Sequence, residues 1–220
     1  MTVKDVLAFT PVYRLEPETV TALFALEWNG ALSFLLQRDP DGRPSGVQNH
    51  YRQYVRGRET FLRGPYDALL VVESDIIVPP DALKRLAALD CDVAYGVYVF
   101  RSKLSQVVNV FERYPESGGR PARNAGESLT VRGLWPEAQA QGIVPCSGGG
   151  LGIILIRRHV LEAVPFELPA DLGGKTFCDS PWTQAVYSAG HTMRADTRVI
   201  CGHKDTDGEI FWPPVAGVQR

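Results

Sequence analysis

The sequence predicts a single α/β domain with a mostly parallel central sheet flanked by helices. Apolar runs that favour strands alternate along the chain with stretches of helical periodicity, the order expected when helices join parallel strands. The run Ala68–Val72 is continuously apolar, as in a central strand that is covered on both faces. A length of 220 residues fits one domain with a sizeable core.

In the first half of the chain, Val3–Phe9 is predicted to be a buried strand that stops at Thr10-Pro11. Pro17 then opens a helix, because proline is tolerated in a first helical turn. The other predicted elements of this half are a strand Ala31–Leu36, a helix over about 47–63, the strand Ala68–Val72, a helix with Leu83, Leu86 and Leu89 on one face, and a strand Asp92–Phe100.

In the second half, residues 114–128 are rich in Gly, Pro, Ser and charge, which predicts a surface loop. The glycine run 148–150 predicts a turn before a further strand. The other predicted elements are strands Ile143–Pro145, Leu151–Ile156 and Thr197–Cys201, a helix from His159, a helix near Pro181–Ala189, and an irregular tail around Phe211-Trp212-Pro213-Pro214.

Composition excludes several classes of protein. Hydrophobic residues make up 45% and charged residues 22%, which excludes a disordered or fibrous chain. The net charge of −2 and the pI of about 6.1 give no overall attraction to nucleic acid or to an anionic membrane. The N-terminal apolar run is too short for a signal peptide, and no segment approaches about 18 uninterrupted apolar residues. We therefore expect a cytoplasmic protein without a transmembrane segment.

The four cysteines, Cys91, Cys146, Cys178 and Cys201, form no CxxC pair, which argues against a zinc ribbon or a thioredoxin-like site. Buried thiols are the expected state. Cys201 and His203 are two residues apart and could share a metal, but the two further ligands that structural zinc needs are not evident.

Two carboxylates, Glu73 and Asp75, directly follow the predicted strand Ala68–Val72. Residues two apart in an extended chain point to the same side, so this pair can bind a hard divalent cation. Ligands of open α/β sheets bind at the carboxyl ends of the strands, which is where the pair lies. The alternative is a solvated strand end whose acidic residues cap the following turn.

The segment YDALLVVESDIIVPPDAL, residues 66–83, resembles the part of the glycosyltransferase-A superfamily in which a D-x-D motif ends the central strand. Glu73 stands at the first Asp, so this is an E-x-D variant of a family-2-like nucleotide-sugar glycosyltransferase. The resemblance implies that Asp75, Glu73 and His203 hold Mn²⁺ or Mg²⁺ against the diphosphate of a nucleotide sugar. It also implies that Glu73 and Ser74 contact the nucleotide sugar, Glu73 acting through water or on the ribose.

Other segments extend this resemblance. In AFTPVYR, the residues Thr10, Pro11 and Tyr13 would line the nucleobase and ribose pocket, although they also suit an ordinary proline turn. The small-residue run 147–152 would let donor and acceptor sugars approach the backbone at Gly149 and Gly150, with a flexible turn as the alternative. Further implied nucleotide contacts are Asp39, a loose counterpart of the family's base-binding Asp, and Arg58 or its neighbour Arg56.

Asp179 aligns with the catalytic carboxylate of the family, which in an inverting enzyme is the general base for the acceptor hydroxyl. Asp179 is also a good N-cap for the helix near Pro181, which is the alternative. His203 falls where many family members place the remaining metal ligand. His50, His159 and His191 have no such context.

The expected function is a metal-dependent glycosyltransferase that moves a sugar from a nucleoside-diphosphate sugar to a hydroxyl acceptor, by inversion. Residues 1–100 would form the nucleotide-binding half and residues 101–220 the acceptor and catalytic half. The acceptor class, whether glycan, small molecule or modified nucleic acid, stays open. The alternatives are a nucleotidyltransferase that makes nucleotide sugars, although its glycine-rich phosphate loop is missing after the first strand, and a non-catalytic sugar- or nucleotide-binding module.

Overall fold

The computed structural model describes residues 2–38, 46–101, 107–113, 127–130, 135–167 and 178–214. Asp39 and residues 114–126 of the predicted surface loop lie outside the described residues, and the last two residues of that loop begin a strand. The helices are α1 Pro17–Phe24, α2 Gly46–Arg63, α3 Ala82–Ala87, α4 Trp135–Gln141, α5 Arg158–Ala163 and α6 Asp179–Ser188. The strands are β1 Val6–Val12, β2 Leu32–Arg38, β3 Ala68–Val72, β4 Ile76–Ile77, β5 Val93–Val97, β6 Val107–Arg113, β7 Glu127–Thr130, β8 Ile143–Pro145, β9 Gly148–Gly149, β10 Ile153–Arg157, β11 Met193–Ile200, β12 Gly202–Lys204 and β13 Ile210–Phe211.

The central sheet has seven strands in the order β2-β1-β3-β10-β5-β11-β8. Five of them, β2, β1, β3, β5 and β11, point in one direction, and β10 and β8 run opposite to them. The predicted α/β class with a mostly parallel sheet is therefore confirmed. The strand β10 lies antiparallel between β3 and β5, so the second half of the chain supplies the middle of a sheet that the first half begins.

Helices cover both faces of the sheet. Leu69 and Val71 of β3 belong to a hydrophobic cluster with residues of α2, α5 and α6, whereas Leu70 and Val72 belong to a cluster with residues of α1 and α3. Every residue of β3 is 0% exposed. This two-sided burial explains why the strand is apolar throughout, since a strand that faced water on one side would alternate.

The first strand continues through Thr10-Pro11, so the predicted stop there was wrong. Pairing with β3 ends at Phe9, opposite Val71, while pairing with β2 continues to Val12. Pro11 thus lies beyond the end of β3, where a missing N–H interrupts no bond to that strand. The tail predicted as irregular also contains a strand, β13, which pairs with β12.

The carboxyl end of β3 is joined to the C-terminal part of the chain by a small sheet of β13, β12 and β4. β4 begins directly after Asp75 and pairs antiparallel with β12, which sets His203 opposite Ile76. The backbone N–H of Lys204 donates to the carbonyl of Asp75 at 2.9 Å. These bonds bring residues near the end of the chain to the strand end that carries Glu73 and Asp75.

None of the helices in the described ranges combines the length and the apolar character that crossing a bilayer requires.

Candidate active site

A cavity of about 480 Å³ opens at the edge of the central sheet where β1 and β3 end. This volume is typical of small-molecule sites, and the edge is the one at which α/β sheets bind ligands. The sequence-predicted site residues that line it are Pro11, Tyr13, Glu73, Ser74, Asp75, Asp179 and His203. Lining residues that the sequence did not single out include Asn49, His50, Gln53, Tyr98, Arg101 and Lys204.

One wall of the cavity joins the end of β1 to helix α2. The side chain of Tyr13 is 71% exposed, so its ring is free to meet a ligand. Gln53 is only 3% exposed, and its Nε2 donates to the carbonyl of Val12 at 3.4 Å and to Oδ1 of Asn49 at 3.2 Å. Its Oε1 is buried and has no hydrogen-bond partner among the described residues. An unpaired buried acceptor is costly, so the Gln53 amide leaves an unmet hydrogen bond beside the cavity that it lines.

The Glu73 carboxylate contacts side chains of α2, away from Asp75, the other carboxylate of the E-x-D motif. Its Oε1 accepts a hydrogen bond from the Tyr54 hydroxyl at 3.0 Å and lies 2.8 Å from Nε2 of His50. Tyr54 is completely buried, and burial together with the Glu73 charge raises the pKa of its hydroxyl well above the ordinary value. Tyr54 therefore stays neutral and donates to the carboxylate.

His50 lies between Glu73 and the start of α6. Its Nδ1 lies 3.5 Å from Sγ of Cys178, the residue before Asp179. Burial lowers the pKa of His50, but the hydrogen bond to Glu73 and the charges of Glu73, Asp179 and Asp75 outweigh it, so the pKa is raised. The imidazole is thus biased toward its cationic form between two carboxylates.

Asp179 is the first residue of α6. Its Oδ1 accepts from the backbone N–H of Ser180 at 2.9 Å, and the N-cap position belongs to Cys178, which makes no side-chain capping bond. Burial raises the pKa of the Asp179 carboxyl, and the Glu73 charge adds to this, so the net pKa lies above the ordinary value although Ser180 and His50 lower it. A carboxylate with a raised pKa at a cavity wall is suited to accept a proton.

Asp75 and His203 form a close pair on the opposite wall, with Oδ2 and Nε2 separated by 3.8 Å. The Nδ1 of His203 lies 2.9 Å from the carbonyl oxygen of Val99, which accepts its N–H, so Nε2 carries a proton toward Asp75 in the imidazolium form and a lone pair in the neutral form. Burial raises the pKa of Asp75, but the hydrogen bond and charge of His203 and the charge of Arg101 lower it further, so the net pKa is lowered. Asp75 therefore carries its charge in the folded protein.

The residues present fit a divalent cation only in part. Metal–ligand bonds of about 2.1 Å to a carboxylate oxygen and an imidazole nitrogen allow the two atoms to lie up to about 4.2 Å apart, so the 3.8 Å between Asp75 and His203 suits a shared ion. Glu73 is not gathered with this pair as the sequence predicted, because its carboxylate is turned toward Tyr54 and His50. Of the three predicted ligands, Asp75 and His203 therefore lie together, and the Glu73 carboxylate lies apart from them.

The cations of the cavity are already paired with acids. Nη1 of Arg101 lies 3.1 Å from Oδ2 of Asp75, and Nζ of Lys204 lies 3.0 Å from Glu16. Arg14 also pairs with Glu16. The cavity lining contains four carboxylates, Glu16, Glu73, Asp75 and Asp179, and three side-chain cations, Arg14, Arg101 and Lys204, a formal charge of −1 that a protonated His50 offsets.

Two predicted nucleotide contacts lie away from the cavity lining. Thr10 is 1% exposed inside β1, so its side chain belongs to the interior of the sheet. Nε of Arg58 donates to the carbonyl of Leu161 at 2.6 Å, which directs the guanidinium toward α5. The helix α2 turns a different face to the cavity, the one that carries His50, Gln53 and Tyr54, since residues three and four apart share a helix face.

The glycines predicted to admit sugars are packing positions, Gly150 against Tyr98, which itself lines the cavity, and Gly149 against Tyr95 and Asn109. A Cβ added to Gly150 would overlap the Tyr98 hydroxyl, and one added to Gly149 would lie 2.9 Å from the carbonyl oxygen of Asn109. The Tyr98 hydroxyl also accepts from the backbone N–H of Gly152 at 3.3 Å. The absence of side chains at Gly150 and Gly152 therefore leaves room for the Tyr98 ring.

Replacing Gly150 with Ala is expected to destabilise the protein, because the added methyl group forces the buried Tyr98 ring to move. Overpacking of this kind costs about 1–3 kcal/mol and lowers the melting temperature by roughly 2–4 °C per kcal/mol in a protein of this size. Thermal unfolding of Gly150→Ala measures the effect, and the same change in a Tyr98→Phe background is the control. A loss of equal size in both backgrounds would contradict the proposed contact with the hydroxyl.

His50, Tyr54 and Gln53 are the functional candidates that sequence reasoning missed. A signal was present, since His50 and Tyr54 are four residues apart and so share a face of the predicted helix 47–63. The sequence did not indicate that this face would contact the end of β3, because the contact joins residues about twenty positions apart through the packing of α2 on the sheet.

No protein-family model matches the chain, and no curated protein matches its sequence. Among solved structures, A197 from STIV matches with a TM-score of 0.59 and 16% identity over 98% of this chain and 98% of that chain. A glycosyltransferase involved in the glycosylation of the major capsid of PBCV-1 matches with a TM-score of 0.37 and 11% identity over 72% of this chain and 63% of that chain. The second similarity is too weak to say anything about function. The chain therefore has the α/β fold of A197, and its chemistry has to be inferred from the residues of the cavity.

Proposed function

We propose that the cavity binds a nucleoside-diphosphate sugar together with Mn²⁺ or Mg²⁺ and transfers the sugar to a hydroxyl acceptor. The observation that supports this most is the convergence of Asp75, His203 and Asp179 on one cavity at the carboxyl end of β3. Their roles differ, because Asp75 is held ionised while the pKa of Asp179 is raised. Two carboxyl groups with such different environments suit one charge-binding and one proton-accepting role.

The nucleoside is assigned to the wall formed by β1 and α2. The exposed Tyr13 ring offers a face on which a nucleobase stacks, and such stacking is tolerant of base identity. Asn49 and Gln53, which line this wall, would bring side-chain amides to the base or the ribose. Pro11 also lines this wall, and its ring gives a rigid surface near the end of β1.

The diphosphate is assigned to the wall of Asp75, His203 and Arg101. Four carboxylates line the cavity and its Arg and Lys side chains are already paired with acids, so a diphosphate needs a further cation to accompany it. Asp75 and His203 would hold this cation, which supplies charge neutralisation of the leaving diphosphate. Arg101, now bound to Asp75, would then exchange the carboxylate for a phosphate oxygen, to which a guanidinium binds with two parallel hydrogen bonds.

The proton of the acceptor hydroxyl is assigned to Asp179. As the acceptor oxygen forms its bond to the anomeric carbon, the carboxylate of Asp179 takes the hydroxyl proton, and the bond from that carbon to the diphosphate oxygen breaks with its electron pair on the leaving group. Attack from the face opposite the diphosphate inverts the anomeric centre. Glu73, held by Tyr54 and His50, keeps a second negative charge near Asp179 and so favours proton uptake there.

A thermal-shift screen of nucleoside diphosphates with Mn²⁺ tests the proposal. At a ligand concentration of about 100 times the Kd, one diphosphate is expected to raise the melting temperature by roughly 5–10 °C, and chelator is expected to remove the shift. The responding diphosphate then selects the nucleotide sugars whose slow metal-dependent hydrolysis is measured.

Each outcome of the screen has a clear reading. Absence of a shift with every nucleoside diphosphate would overturn the proposal. A shift without any hydrolysis or transfer would favour a binding module, and release of pyrophosphate from a nucleoside triphosphate and a sugar phosphate would show a nucleotidyltransferase instead.

A further inference from the structure

A second group of metal-ligating side chains lies at the other edge of the central sheet. Asp92 directly precedes β5, His191 lies two residues before the start of β11, and His159 is the second residue of α5, which follows β10. The parallel pairing of β5 with β11 sets Val93 opposite Met193 and so brings Asp92 beside His191. The antiparallel pairing of β10 with β5 sets Ile156 opposite Val93 and delivers His159 to the same place.

This group is separate from the cavity. Along β3, the partner of Val72 is Ile153 and the partner of Ala68 is Arg157, so the end of β10 that leads to His159 lies at the start of β3. Five residues of strand correspond to about 16 Å. The cavity and the Asp92 group therefore lie at opposite ends of the same strands.

The three side chains are close enough to bind one ion. Nε2 of His159 lies 2.9 Å from Oδ1 of Asp92, and Nδ1 of His191 lies 3.7 Å from Oδ2. Asp92, His159 and His191 are the group of three found in the described ranges whose ligand atoms all lie within 4.8 Å of one another. Ligand atoms that share a tetrahedral zinc ion lie roughly 3.3–3.6 Å apart, so small side-chain rotations suffice.

The carboxylate is oriented by its neighbours, as metal-binding carboxylates are. Oδ2 of Asp92 accepts from the backbone N–H of Thr192 at 2.8 Å and from its hydroxyl at 2.9 Å. This side chain is 28% exposed and that of His191 is 17% exposed, while that of His159 is 54% exposed. The group is thus partly buried and open to solvent on one side, where water can complete the coordination.

We propose that Asp92, His159 and His191 bind one transition-metal ion of the zinc type. Two imidazoles and one carboxylate match the ligand preference of Zn²⁺, whereas Mg²⁺ and Mn²⁺ favour sites in which most of the ligands are oxygens. The ion ties together segments that are far apart in sequence, since Asp92 and His159 are separated by 67 residues. Because it binds the folded protein, it stabilises the junction of β5, α5 and β11, and this role is independent of the chemistry proposed for the cavity.

Titration of Zn²⁺ into an Asp75→Asn variant tests the proposal, since this background removes the pair in the cavity. We expect one bound Zn²⁺ by calorimetry and, at about 100 times the Kd, a rise of roughly 5–10 °C in melting temperature. His159→Gln and His191→Gln are each expected to abolish the binding, and Thr192→Val, which removes the orienting hydroxyl, is expected to weaken it about tenfold. Asp92→Asn is compared with Asp90→Asn, a change of the same kind at an exposed neighbouring carboxylate.

The half-buried Cys91 adjoins the site, so a Cys91→Ser variant is included. Retention of Zn²⁺ by this variant and by Asp90→Asn, with loss in the two histidine variants, supports the site. The shift of the His159 and His191 imidazole resonances on addition of Zn²⁺ to the unaltered protein is a second readout that requires no variant to fold. Lack of Zn²⁺ binding in the Asp75→Asn background would overturn the proposal, and so would binding that survives both histidine changes.

Discussion

Replacing Asp179 with Asn is expected to lower the rate of sugar transfer by about 10²–10⁴-fold, the usual contribution of a general base. The amide has nearly the same shape and can still accept the hydrogen bond from Ser180, but it cannot take a proton from the acceptor hydroxyl. Steady-state kinetics with the nucleotide sugar found by the screen measure this loss. The affinity for nucleoside diphosphate, which is assigned to other walls of the cavity, is expected to change little.

The same substitution is expected to raise the melting temperature at neutral pH. In the folded protein the pKa of Asp179 is raised above its ordinary value of 3.8, so folding favours the protonated form of the carboxyl. The ionised carboxylate therefore opposes folding fully at pH values above the folded pKa, and this cost declines as the pH falls through that pKa and is gone below the ordinary value of 3.8. Asn removes the cost at every pH, so higher stability with lost activity is the expected combination.

A purely structural role for Asp179 predicts a different combination. If the side chain served only the start of α6, Asn would keep both stability and activity, since Asn and Asp are similar at helix starts. The pH profile of the unaltered enzyme adds a further check, because the acidic limb of kcat/KM should have an apparent pKa above that of an ordinary aspartate. An Asp179→Asn variant with unchanged kcat would remove Asp179 from the mechanism.

Replacing Asp75 with Ala is expected to abolish the metal-linked stabilisation by nucleoside diphosphate, a loss of the whole shift of roughly 5–10 °C expected for the unaltered protein. The change removes the carboxylate that lies 3.8 Å from His203 and leaves Arg101 without its partner. Donor hydrolysis should be lost together with the shift. Thermal unfolding with diphosphate, with and without Mn²⁺, measures the effect.

Asp81→Asn is the matched control, because Asp81 pairs with Arg85 on the surface and is not among the residues that line the cavity. It should keep the full metal-linked shift. A shift of equal size in Asp75→Ala and in the unaltered protein would show that the cation is bound elsewhere. If nucleoside diphosphate raises the melting temperature of every variant without metal, the charge of the diphosphate is instead neutralised by Arg101, Lys204 and Arg14.

The sequence predicted the sheet well where burial is uniform. The bounds of β3 follow from its apolar run, since a strand covered by helices on both faces has no polar positions to obscure its ends. Strand ends at the sheet edge were harder to predict from sequence. Pro11 continues β1, and Phe211 forms a short strand only through pairing with another segment. Such pairings depend on partners that are distant in sequence.

The sequence by itself determined that Glu73 and Asp75 follow a buried central strand, since strand length, apolar pattern and motif all lie within about ten consecutive residues. Tertiary structure alone decided what each carboxylate contacts. The pairing of β12 with β4 brought His203 to Asp75, and the packing of α2 turned Glu73 toward His50 and Tyr54. It also gathered Asp92, His159 and His191 at the far edge of the sheet. The physical reason is that the pattern of apolar residues in a short segment indicates which face of a strand or helix is buried. Which other element covers that face depends on the packing of the whole chain.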